Sequence, residues 1–83
     1  MRNREFYRQR LIKRYRKIIR DSEQLMRDKQ SWNDYHTDEQ PFDIGAQCSA
    51  IDLSKKALVY LESDKNLPAG LVQRLKDVLK EEQ

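Results

Sequence analysis

Leu11, Ile18, Leu25 and Trp32 recur every seven residues, with Tyr15 and Ser22, and Ile12, Ile19 and Met26, beside them. An apolar stripe of this period commits the first third of the chain to one amphipathic α-helix with the stripe turned toward a core. The pattern predicts helix 1 over about residues 3–31. At about 1.5 Å per residue it is on the order of 40 Å long, more than a compact bundle of this size needs. Its N-terminal turns are therefore expected to project past their partners.

The stretch SWNDYHTDEQPFD, residues 31–43, breaks the period and gathers Asn, Asp, Thr and Pro, so residues 32–43 read as the longer connection, pinned by Phe42 and Trp32. Asp43 is the expected N-cap of helix 2, over about residues 44–63, with Gly45 weakening its first turn. At about 100° per residue, helix 2 carries two apolar strips. One is Ile44, Cys48, Ile51, Leu58 and Leu61; the other, roughly opposite, is Ala46, Ala50, Leu53, Ala57 and Tyr60. A helix covered so widely touches two neighbours, or one neighbour and a second copy of the chain. After a turn at residues 63–66, Leu67, Leu71, Leu75, Val78 and Leu79 give helix 3, over about residues 67–81, with Pro68 in its first turn and Asn66 placed to cap it. The expected architecture is a single all-α domain over residues 1–83, a three-helix bundle with a long basic N-terminal helix and an antiparallel helix 2/helix 3 hairpin.

The chain has 83 residues, 37% apolar and 37% charged, which leaves a lean core and little room for a cleft with supporting residues around it. A non-enzymatic protein without a cofactor is expected. Cys48 is the sole cysteine, so no intramolecular disulfide forms, and its place on an apolar strip reads as a buried structural thiol. No basic leader with an apolar core and no apolar run near the ~20 residues of a membrane span is present, so a cytoplasmic life is the expectation. His36 lies in Asp34-Tyr35-His36-Thr37-Asp38-Glu39, but without a second histidine or a paired cysteine this reads as a solvated acidic loop, with no metal site. Gly45 and Gly70 stand alone, far from any phosphate-cradling loop.

Charge is the main functional clue. Residues 1–20 carry nine basic side chains against Glu5 alone, a net +8, whereas the remaining residues sum to −5. With Leu11 at the centre of the apolar stripe, Arg10, Lys13, Arg16, Lys17 and Arg20 fall on the far side as a basic ridge, with Arg8 and Arg14 at its margin. Such a ridge suits a polyanion, most readily nucleic acid or a ribonucleoprotein surface, with Tyr7 and Tyr15 as candidate stacking groups, although Tyr15 projects into the apolar stripe and reads rather as core. Two other readings stand beside it. Glu62 and Asp64, at the end of helix 2, lie where an antiparallel bundle would set them against the start of helix 1, and on that reading part of the charge serves internal pairing. Alternatively, the chain is a stoichiometric adaptor or inhibitor of the kind small phage and bacterial genes encode, meeting an acidic protein surface with the ridge, or a partner or homodimer mate with Ala46, Ala50, Leu53, Ala57 and Tyr60.

A helix-turn-helix reader fits poorly, because Arg74, Lys76 and Lys80 on helix 3 are balanced by Asp77, Glu81 and Glu82. Burying helix 1 in lipid would take away the apolar face that helices 2 and 3 need, so no membrane partner is expected. Tyr15-Arg16 on a basic first helix resembles the Leu-Tyr-Arg proteins of mitochondria in those two residues only; Arg14 occupies the leucine position, and the rest of that pattern is missing.

Overall fold

The computed structural model describes residues 4–81 and builds them into three helices, α1 (Arg4–Tyr35), α2 (Gly45–Glu62) and α3 (Ala69–Glu81), with no strand among the described residues. Arg2 and Asn3 lie outside them. The all-α class and the long first helix are as expected, in a body of 56 × 20 × 20 Å.

Helix α1 runs four residues further than its periodicity predicts, through Trp32-Asn33-Asp34-Tyr35. Residues of this type usually break helices because their side chains compete for backbone hydrogen bonds. Here those side chains are occupied elsewhere. Asn33 Nδ2 donates to the Phe42 carbonyl at 3.1 Å while its Oδ1 accepts from the Phe42 N–H at 2.8 Å, and Asp34 accepts from Gln30 one turn back at 3.3 Å. Trp32 stacks on His36 at 4.1 Å between ring centroids and meets Phe42 at 4.7 Å, so the connection is pinned by the two aromatic residues expected to hold it.

The seam between α1 and α2 is rotated from the stripe that hydropathy suggests. On α1 the residues turned inward are Ile12, Tyr15 and Ser22, all buried, with Arg8, Ile19, Met26 and Lys29 half-buried in the same 3–4 spacing. On α2 they are Gln47, Ala50, Ser54, Ala57 and Leu61, all buried. Two 3–4 repeats of this kind pack knobs into holes, and Ala50, Ser54 and Ala57 let the backbones come close. Leu25, expected in the centre of the stripe, is 38% exposed, and Leu11 and Ile18 sit at its margin. The helices run in opposite senses: Arg8 Nη1 donates to the Leu61 carbonyl at 2.7 Å at one end, and Lys29 Nζ donates to Gln47 Oε1 at 3.1 Å toward the other.

Helix α2 begins at Gly45, with Ile44 at the cap position and no side-chain hydrogen bond from it. Asp43, expected as the cap, acts from one residue further back, accepting the Gly45 N–H at 2.8 Å. At the other end Asp64 takes φ 56°, and the N–H groups of Asp64 and Lys65 close back onto the Leu61 and Tyr60 carbonyls at 3.1 and 2.8 Å. This is a Schellman stop with an aspartate in the left-handed position where glycine is usual. The first turn of α1, expected to project freely, instead docks on that stop. Arg4 Nη2 donates to the Asp64 carbonyl at 3.2 Å and to Asn66 Oδ1 at 3.4 Å, so the Asn66 side chain faces α1 rather than capping α3. It is the C-terminal part of α1 that outruns α3.

Leu75 anchors α3, 2% exposed and packed with Ile12, Tyr15, Leu53, Ala57 and Leu61. Pro68 and Leu71 border a cleft with Val59, Tyr60 and Ser63, and Arg74, Asp77 and Val78 border one with Ser49, Asp52 and Leu53, so residue order reverses between the two helices. Helix α3 leans on α2: no Cα of α3 comes within 8 Å of one in α1 among the described residues.

Candidate polyanion-binding face

Of the cations in residues 4–20 of the first helix, three serve the fold. Arg8, proposed as a marginal ligand, is committed: Nε and Nη2 clamp the two Glu5 oxygens at 2.9 and 2.6 Å while Nη1 holds the Leu61 carbonyl. Its side chain is 19% exposed. The hydrogen bonds from Arg8, and next the one from Gln9 at 3.0 Å, hold the Glu5 carboxyl down at about 2 against an ordinary 4.5. Arg4 pairs with Asp64 at 3.6 Å. Arg16, one of the central five, pairs with Glu62 at 3.2 Å, and both side chains stay more than half exposed. An open pair of this kind is worth little and gives way readily to a stronger anion.

The others face water. Arg10, Lys13, Arg14, Lys17 and Arg20 are all exposed and make no ion pair among the described residues. Arg10 lies over the Phe6 ring at 5.9 Å, a cation–π contact that leaves its charge outward. Residues 6–20 contain no acidic side chain, so the positive field is not cancelled along its own helix. Arg10, Arg14 and Lys17 form one row at helical spacing, and Lys13, Lys17 and Arg20 a second. The span from residue 10 to residue 20 is about 15 Å. Of the candidate stacking groups, Tyr15 is 7% exposed and belongs to the core, whereas Tyr7 is 54% exposed and contacts Phe6 edge-on at 5.7 Å.

The second candidate surface does not survive folding. Ala50 and Ala57 are fully buried and Leu53 is 3% exposed, because α1 and α3 wedge against that side of α2. Ala46 and Tyr60 are half-buried at either end. The opposite strip is the more open one: Ile44, Ile51 and Leu58 are half-buried and Cys48, expected as a buried thiol, is exposed, with Sγ 3.6 Å from Met26 Sδ. Only Leu61 of that strip is buried. His36 is taken up structurally, its Nδ1–H donating to the Trp32 carbonyl at 2.9 Å. Among the described residues no three His, Cys, Asp or Glu side chains converge as metal ligands, and no helix is long and apolar enough to cross a membrane.

Sequence reasoning missed a cleft of about 350 Å³ where α3 faces the basic helix. Arg14 borders it from α1, and Gln73, Lys76, Asp77, Leu79 and Lys80 from α3. No pattern within either helix signals it, since it depends on how the two are set side by side. Compared with known protein families, curated proteins and solved structures, the chain matches none of them.

Proposed function

We propose that this protein is a non-enzymatic binder of a polyanion, nucleic acid or a ribonucleoprotein surface, through the outward face of α1. The observation that carries this reading is the acid-free run of residues 6–20, from which Arg10, Lys13, Arg14, Lys17 and Arg20 stand exposed and without ion pairs among the described residues. Cations so arranged gain affinity by releasing the counterions condensed on a phosphate chain, a term that needs no base contact and falls steeply with salt. The rigid helix beneath supplies the spacing: its seam is locked into α2 by Arg8 and Lys29, so the free side chains radiate from a fixed axis.

The reading is tested by charge reversal. Lys13→Glu/Lys17→Glu/Arg20→Glu should lower affinity for labelled RNA or DNA by at least about a hundredfold at low salt and leave the helical circular dichroism unchanged. Unchanged affinity would remove α1 as the binding face. If the wild-type protein holds no nucleic acid at low salt while an acidic protein partner competes for the ridge, the polyanion is a protein and the proposal in its nucleic-acid form is wrong.

A further inference from the structure

We infer that the polyanion is a single strand of nucleic acid lodged between α1 and α3, its phosphates shared by Arg14 with Lys76 and Lys80. This rests on the reading of α1 as the binding face and extends it to a second helix.

Helix α3 looks neutral in sequence, yet its two lysines and its arginine border different clefts. Lys76 and Lys80, one turn apart, border the cleft shared with Arg14, whereas Arg74 borders a separate cleft with Ser49 and Asp52 of α2. Lys76 and Lys80 make no ion pair among the described residues. One acid, Asp77, borders the Arg14 cleft and accepts a hydrogen bond from Gln73 at 2.9 Å, which leaves three cations against one carboxylate there. A concave surface lined mainly by one sign concentrates potential more than a convex ridge does. Arg14 belongs both to the exposed cations of α1 and to the α1 side of that cleft, so the two surfaces meet at it.

A slot of about 250 Å³ opens beside the same lips, with Arg14 and Lys76 at its border, half-buried Leu11, Ile18, Val72 and Leu79 among its accessible walls, and the buried core residues Tyr15 and Leu75 behind them. It exists because α3 is carried by α2 and its backbone stands off from α1. Cationic lips over an apolar slot match an unpaired nucleotide, which offers a phosphate and a bare base face together. In a duplex the base faces are buried in the stack and cannot enter such a slot.

The experiment uses the full chain with a labelled oligothymidylate, a duplex with the same number of phosphates, and inorganic polyphosphate of matched charge. The single strand should bind about tenfold tighter than either competitor at equal salt. Lys76→Gln/Lys80→Gln should weaken single-strand binding about tenfold and lower the salt slope by about 1.4, near 0.7 for each lost contact. Lys76→Arg/Lys80→Arg should restore both. Unchanged affinity and slope in the glutamine variant, with binding still lost in the α1 triple variant, would overturn the cleft and leave the α1 reading standing. Equal affinity for polyphosphate and oligothymidylate would overturn the single-strand assignment. Failure of the wild-type protein to bind any of the three would overturn both readings.

Discussion

Ser54 offers a clean test of the α1–α2 seam. Its hydroxyl is fully buried, and Oγ has no hydrogen-bond partner. A buried hydroxyl left unpaired costs about 1–3 kcal/mol relative to a paired or absent one. Replacing it with alanine removes that cost and adds helix propensity, about 0.5 kcal/mol in favour of the variant. The oxygen leaves a void of roughly 10–15 Å³, a loss of about 0.3 kcal/mol. Ser54→Ala should therefore stabilise the fold by about 1–3 kcal/mol, or at least about 4 °C in Tm for a chain of this size. Thermal melting followed by circular dichroism at 222 nm, with urea unfolding as a cross-check, reads the change directly. A Tm below wild type would show that the hydroxyl makes a bond the close seam depends on, and the packing described for Ala50, Ser54 and Ala57 would be wrong.

The other predictions address core and charge. Leu53→Asp and Ala57→Glu each bury an unpaired carboxylate between three helices and should abolish the helical signal at 25 °C. A folded variant that had merely lost self-association would return that strip to the surface. Glu5 has its folded-state carboxyl lowered from 4.5 to about 2, so its clamp on Arg8 stabilises the protein fully above pH 4.5 and fades as pH falls toward 2. The Tm gap between wild type and Glu5→Gln should widen across that window in melts run from acid to neutral; a gap independent of pH would contradict the clamp.

The three helices are readable in the sequence because their apolar periodicity is strong, and their ends fall within about four residues of where caps and breakers put them. The rotation of α1 is not. Hydropathy centres the stripe on Leu11, Ile18, Leu25 and Trp32, whereas the seam is built partly from Arg8, Ser22, Lys29, Gln47 and Ser54, polar side chains that such a pattern discounts. The signal that could have found it is the 3–4 spacing of small residues on α2. Alanines at 50 and 57 look like an uncommitted surface until the chain is seen to use them where two helices converge. The charge is likewise divided: Arg4 and Arg16 pair with Asp64 and Glu62, as the antiparallel arrangement suggested, Arg8 pairs with Glu5 on its own helix, and the ridge around them stays open. The role assigned to Lys76 and Lys80 was out of reach because a helix's net charge says nothing about its sides.

The central claim is that α1 meets a phosphate chain through charges the fold leaves free. Its most direct test is the affinity of the wild-type protein for single-stranded RNA and DNA across a salt series. Five contacts from α1, with two more from α3, predict a straight line of log affinity against log salt with a slope of about −3.5 to −5. No binding at low salt, or an affinity indifferent to salt, would contradict the account.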